Sequence, residues 1–324
     1  MSSSNISAAE AAELLKRRHL RKDLLSFSEH ILAQMGQKPA IHHRLVIDKL
    51  QKVADGEIRK LMIFMPPGSA KSEYVSRIHP AWYLAHKPRG KIIAASHTIG
   101  LATQFGRKVR NLISENSPTL GYSLSSDNAA AGEFAINLGG EYFAAGVGTA
   151  LPGRRASMFI IDDPVKGREA AESMVDREAV WNWYLSSALT RQGTEPMGLV
   201  ICMTRYHEDD LCGRLLDSER DAWEVVSLPA QAEEDDILGR APGECLWPES
   251  DFARMLEISH GMAKTVSGRA FISNVQHHRQ VPYSRSPTSR KFLPRIFRTA
   301  RWCELGTLRA PARRAPEIQT GQLG

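Results

Sequence analysis

The sequence is short of several things, and each shortage removes a class of protein. Its four cysteines, Cys202, Cys212, Cys245 and Cys303, include no pair at C-x-x-C spacing. Neither a disulfide framework nor a paired-cysteine metal site is expected, and the thiols read as reduced and mostly buried. No apolar run approaches the roughly 18 residues that cross a bilayer, which argues against an integral membrane protein. The opening stretch Met1-Ser-Ser-Ser-Asn-Ile-Ser7 lacks the basic patch and apolar run of a secretory signal, so a cytoplasmic protein is expected. There is no internal repeat. The last fifty-four residues contain no aspartate.

What is present is ordinary at first sight. A hydrophobic share of 42% and a charged share of 24% over 324 residues suit one large or two ordinary globular domains. The formal charge of +6 suggests an acidic partner, but it is unevenly placed. Residues 1–270 hold 32 basic and 34 acidic side chains, whereas residues 271–324 hold 10 basic and 2 acidic ones. Nine of those ten are arginine, set among recurring Pro and Ser without hydrophobic periodicity. The basic character belongs to the tail.

Ser7 and Glu10 have the spacing of a capping box ahead of Leu14, Leu15, Leu24, Leu25, Ile31 and Leu32, so residues 1–58 read as a helical region. A further helix is expected over Ile41–Ala54, stopped by Asp55-Gly56. Over residues 59–228, short apolar runs alternate with amphipathic stretches. Buried strands are expected at 61–65, 91–96, 157–161, 197–203 and 223–228. Helices are expected near 72–86, 98–115, 173–190 and 207–219. That alternation means an α/β fold with a mostly parallel sheet covered on both faces. Ligands then bind beyond the carboxyl ends of the strands. Residues 229–272 read as a less regular linker with a solvated acidic run, Glu233-Glu-Asp-Asp236, and a helix near 250–260. Residues 273–324 read as a disordered tail.

The first strand runs into Met65-Pro-Pro-Gly-Ser-Ala-Lys-Ser72. Small residues between a strand and a helix let backbone N–H groups curl around phosphate oxygens, with the helix N-terminus adding favourable potential. Pro67, Gly68, Ser69 and Ala70 would form the cradle, Lys71 would reach the β and γ phosphates, and the Ser72 hydroxyl would ligate Mg²⁺. Only Gly68 brings glycine's freedom to the loop, because the two motif glycine positions hold Met65 and Ala70. A plain Pro-Gly turn is the alternative.

Ninety residues on, Met158-Phe-Ile-Ile-Asp162-Asp163 puts two carboxylates at the end of a buried strand. P-loop enzymes hold Mg²⁺ on such an acid and orient the attacking water with the next. Asp162 is assigned to the metal and Asp163 to the base, with Glu169 or Glu172 as substitutes. Two turn-capping aspartates before Pro164 are the other reading. Thr204 follows the strand 199–203, beside the metal site, where a hydroxyl can sense the γ-phosphate. Glu208, Asp209 and Asp210 fit the first turn of the next helix, and His207 a surface or capping role. The stretch Gly146–Gly153 is a mobile loop or carries an arginine finger, Arg154 or Arg155, acting in its own site or a neighbour's.

Residues 39–219 resemble the ATPase domain of tailed-phage terminase large subunits. The matching segments are M-P-P-G-S-A-K-S at 65–72, I-I-A-A-S-H-T at 92–98 with F-G-R-K-V-R-N-L at 105–112, F-I-I-D-D-P-V-K at 159–166 and T-R-Y-H-E-D-D-L at 204–211. The resemblance implies an additional-strand P-loop NTPase that uses ATP and Mg²⁺ to drive double-stranded DNA into a procapsid. It implies a homo-oligomeric ring working with a portal protein and a small terminase subunit, in the host cytoplasm. By the same resemblance, Lys71 and Ser72 are the Walker A pair, Asp162 and Asp163 the Walker B pair, and Thr204 the coupling residue. The region of His42 and His43 is where the family holds the adenine.

The family continues into a nuclease domain that needs clustered acids for its metals. Only Glu304 and Glu317 follow residue 270, so that domain is expected to be missing. The tail has a composition that out-of-frame translation of a GC-rich gene yields. A helicase-like DNA translocase and a non-catalytic prophage remnant are the alternative readings.

Overall fold

A computed structural model of the chain describes residues 7–250 apart from 152, 194 and 195, together with 252 and 254. Three helices come first, α1 (Ala8–Leu20), α2 (Leu24–Ala33) and α3 (Ile41–Asp55). The Ser7–Glu10 capping box forms as expected, Asp23 caps α2, and Gly56 ends α3 at φ 86°, a left-handed conformation that glycine adopts without strain.

The sheet is built from β1 (Lys60–Phe64), β2 (Lys91–Ser96), β3 (Leu124–Ala129), β4 (Glu133–Ile136), β5 (Glu141–Gly146), β6 (Met158–Asp162), β7 (Gly198–Met203) and β8 (Glu224–Ser227). Its order is β3-β4-β5-β2-β6-β7-β1-β8. All neighbours from β5 to β8 pair in parallel, and β3 and β4 add an antiparallel edge. One strand, β7, lies between the strand that feeds the small-residue loop and the strand that ends in the two aspartates.

Alternation along the strands splits the interior into two cores. On β1, Leu61 and Ile63 face the layer of α1 to α3, α4 (His79–His86) and α5 (Ile99–Leu120), while Met62 and Phe64 face the other layer. That second layer holds α6 (Gly167–Glu172), α7 (Met174–Trp183) and α8 (Leu211–Glu219). Burial on both faces is why these strands read as continuous apolar runs.

Several expectations are corrected. The hairpin strands β3 and β4 and the strand β5 were not foreseen: β3 is polar and half exposed, β4 is only four residues long, and β5 ends in the first glycine of what read as a loop. The helix expected near 72–86 opens as a π-helical stretch, Glu73–Ile78, before α4. The one expected over 173–190 ends as α7 at Trp183 and continues as π and 3₁₀ turns. The acidic run 233–236 is not wholly solvated, because the Asp236 side chain is buried against Arg240 at 2.6 Å. The expected tail 273–324 lies outside the described residues, as does the helix near 250–260 apart from Phe252 and Arg254. Cys202 and Cys212 are buried free thiols and Cys245 is partly exposed. No helix among the described residues is long and apolar enough to cross a membrane.

Candidate nucleotide site

Four strand ends meet at the carboxyl edge of the sheet: Phe64 on β1, Ser96 on β2, Asp162 on β6 and Met203 on β7. The loop that leaves β1 is pinned at its base, where Met65 N–H donates to the Met203 carbonyl and the Thr204 hydroxyl donates to the Met65 carbonyl at 3.1 Å. It turns through Gly68 at φ 78° and Ala70 at φ 59°. The left-handed conformation is free for glycine but costs an alanine about 1 kcal/mol or more. The N–H groups of Gly68 and Ala70 find no acceptor among the described residues. Those of Lys71 and Ser72 belong to a helix start, whose N–H groups have no intrahelical partner. Together these N–H groups make a basin for an anion.

Lys71 is 7% exposed, and its Nζ pairs with Asp163 Oδ2 at 2.9 Å. Burial works against its charge, but Asp163, Cys202 and Asp162 outweigh it and raise the ammonium pKa. Asp163 is held on every side. Its N–H donates to Cys202 O, its carbonyl accepts from the His97 N–H, and Oδ1 accepts from the Thr204 N–H at 3.0 Å. Its own φ is 45°, a conformation that aspartate tolerates better than most residues.

Asp162 is different. It is 2% exposed, its Oδ2 accepts from Ser76 Oγ at 2.6 Å, and the nearby Ser72 hydroxyl slightly favours its ionised form. Oδ1 is buried and has no hydrogen-bond partner. Burial first, and then the neighbouring Asp163 charge, push its pKa up to about 6. A buried carboxylate oxygen without a donor, beside a serine hydroxyl at the head of a helix, suits a divalent cation. Among the described residues no cluster of three or more His, Cys, Asp and Glu could hold a metal by itself, so the remaining ligands would be phosphate oxygens and water, as is usual for Mg²⁺.

The structure therefore gathers Pro67 to Ser72, Asp162, Asp163 and Thr204 at one edge. Thr204 reaches Asp163 through its backbone N–H, while its hydroxyl faces the Met65 carbonyl. Glu169 and Glu172 are exposed on α6, whereas Asp163 lies against Lys71.

Arg154 does not join the group. It stacks over the Phe143 ring at 3.8 Å and pairs with Glu133 at 2.8 Å. Phe143 lies three residues, about 10 Å, before the carboxyl end of β5, so Arg154 is held away from the gathered group. Arg155 is turned to the Thr190 and Gln192 carbonyls. His43, which the resemblance puts in the adenine region, lies beside the loop. The ring is 1% exposed, packed against His42, Tyr74 and Trp247, and its Nε2 lies 3.0 Å from the Ser69 carbonyl. Beside this cluster a cavity of about 440 Å³ is lined by Lys38, Ala40, Ile41, Arg240, Cys245 and Trp247, among others.

Sequence reasoning missed His97, Tyr74 and Trp247. The first lies in a quoted segment as the residue just after a strand, which was the available signal. Nothing in the sequence ties Trp247 to a loop that precedes it by about 180 positions.

Past Thr204 the chain builds a bracket for α8. Asp210 Oδ1 accepts from the Gly213 N–H and Oδ2 from Arg205, so Asp210 is the cap and α8 starts at Leu211. Glu208 and Asp209 precede the helix rather than forming its first turn. Asp209 accepts two bonds from Arg214 and one from Arg177 of α7, and its N–H donates to His207 Nδ1 at 2.9 Å in the turn before the helix.

A small-residue loop after β1, two aspartates ending β6 and one strand between them define the additional-strand class of P-loop NTPase folds. Within that class the structure is similar to the HK97 bacteriophage large terminase, with a TM-score of 0.52 at 13% identity over 79% of this chain and 54% of that one. The large terminase of a thermophilic bacteriophage, in complex with ADP, is matched at a TM-score of 0.38 and 12% identity, over 56% of this chain and 45% of that one. The likeness to the HK97 protein is one of fold, and the chain spans about half of its length. No protein-family model and no curated protein matches the sequence.

Proposed function

We propose that this chain is the ATP-hydrolysing motor part of a phage DNA-packaging terminase large subunit. The observation that carries the reading is the Lys71–Asp163–Thr204 connection at the loop, beside a buried Asp162 oxygen without a donor. The fold likeness to a large terminase and the four ordered sequence segments support it.

The residues fit Mg²⁺ and a nucleotide triphosphate. Ser72 and Asp162 would hold the cation, which when bound neutralises phosphate charge. Lys71 exchanges Asp163 for the β and γ phosphate oxygens, and the N–H groups of Gly68, Ala70, Lys71 and Ser72 bind the remaining charge. Released from Lys71, Asp163 orients a water and takes its proton as the water oxygen bonds to the γ-phosphorus. The bond from phosphorus to the ADP oxygen breaks, and the electron pair leaves with ADP. The cavity beside Trp247 would receive the base.

DNA translocation, the portal and small-subunit partners, the ring and the host cytoplasm are parts of the same proposal, resting on the sequence resemblance. The test is ATP hydrolysis by the full chain with and without double-stranded DNA, compared with Lys71→Ala. The reading predicts hydrolysis that intact duplex stimulates without strand separation, and at least about a hundredfold loss in the variant. Equal rates in the two proteins would overturn the assigned site, and strand separation would favour a helicase.

A further inference from the structure

His43 reaches the phosphate loop from the start of α3, and its two nitrogens have settled roles. The Ala40 N–H donates to Nδ1 at 3.2 Å, so Nδ1 is the acceptor and the ring proton sits on Nε2. That Nε2–H therefore donates to the Ser69 carbonyl at 3.0 Å. The ring is buried between Tyr74, which follows the loop, and Trp247 from the segment after β8. Burial lowers the imidazole pKa to about 4, so the ring stays neutral and the tautomer holds at working pH.

The Ser69 carbonyl and the Ala70 N–H belong to one planar trans peptide, so they point in opposite directions. A carbonyl anchored on His43 turns the Ala70 N–H away from His43, to the side where it has no protein acceptor. Ala70 accepts φ 59° in this arrangement, and a residue other than glycine stays there only when its surroundings hold it. The Ser69 hydroxyl, donating to Pro66 O at 2.7 Å, fixes the other side of the same residue. Flipping this peptide would present a carbonyl oxygen, not an N–H, to an incoming anion.

We infer that His43 is a positioning residue that sets the 69–70 peptide of the phosphate loop for anion binding, and that it does not read the nucleotide base. This rests on the nucleotide reading proposed above. It moves the role of the α3 histidine from the adenine to the polyphosphate, and it makes that role depend on a single N–H donor.

The experiment is calorimetric titration of the full chain with Mg-ATP, Mg-GTP and magnesium tripolyphosphate, using the parent, Lys71→Ala, His43→Phe and His43→Gln. Phenylalanine keeps the ring and removes the donor, whereas glutamine retains an N–H that reaches the same carbonyl. The expected result is that His43→Phe weakens all three ligands by a similar factor, about tenfold for one lost hydrogen bond. His43→Gln should stay within about threefold of the parent. Weakened ATP with unchanged tripolyphosphate would mean a base contact and overturn the inference, as would a His43→Phe protein that binds like the parent while Lys71→Ala does not. A parent that binds none of the three would refute the nucleotide reading and this inference with it. If circular dichroism shows His43→Phe unfolded, His43→Leu, which also lacks the donor, takes its place: a similar loss for all three ligands upholds the role, and parent-like binding overturns it.

Discussion

Asp162 and Asp163 are neighbours in sequence and differ in every physical respect. Asp162 is buried against the Ser76 hydroxyl, with one oxygen lacking a donor and a pKa near 6. Asp163 is a third exposed, ion-paired to Lys71 and bonded by Thr204. A carboxyl whose pKa is higher folded than unfolded adds stability below about pH 4, and that contribution is lost as pH rises through about 6. Ligand-free Asp162→Asn should therefore gain on the parent between pH 5 and pH 8, by on the order of 1 kcal/mol or about 3 °C in melting temperature at pH 8. Thermal melts of both proteins at the two pH values check this, and an unchanged difference would contradict it. Asp163→Asn should keep Mg-ATP binding within about tenfold while hydrolysis falls at least about a hundredfold, a split that parallel calorimetry and phosphate release would detect. Both acids were legible in the sequence as the end of a buried strand. That one is stranded in the core and the other clasped by Lys71 was not, because their partners come from β7 and the loop.

The segment that joins β7 to α8 is the element through which a change at Thr204 would reach the second helical layer. Asp210 caps α8 and pairs with Arg205, and burial raises its pKa despite that pairing. Asp209 ties α8 to α7 on the surface, its carboxyl pKa lowered by Arg214 and Arg177 against some burial. Asp210→Ala should cost about 3 kcal/mol or more, because it strips a cap and leaves Arg205 without its buried partner. Asp209→Ala, at a site 42% exposed, should cost about 1 kcal/mol or less. Urea unfolding separates the two, and similar losses would contradict the difference in burial. The sequence placed this helix four residues too early, since Glu-Asp-Asp also reads as a first turn. It missed the antiparallel edge for a different reason. There α5 lies so close that a Cβ at Gly106 would stand 2.3 Å from the Ala131 carbonyl, a tertiary contact that periodicity cannot reveal.

Over the whole molecule, the parallel core was legible because strands buried on both faces are apolar throughout, and each reports itself locally. Strand order was not legible in the periodicity, since it depends on which crossovers pass which face; the resemblance alone implied a strand between β1 and β6, and the structure has β7 there. The net charge of +6 said little about this architecture, because the excess lies in residues 271–324 and the rest of the chain is slightly acidic. Ligand that binds only the folded chain stabilises all of it, so Mg-ATP at a hundred times its dissociation constant should add about 2.7 kcal/mol, several degrees in melting temperature. Everything proposed above depends on the loop from Pro67 to Ser72 being a phosphate site organised around Lys71. The most direct measurement is calorimetric titration of Mg-ATP into the parent and Lys71→Ala, with both shown to be folded. The account predicts saturable binding by the parent and a loss of about a hundredfold or more in the variant, and equal affinities, or no binding by the parent, would contradict it.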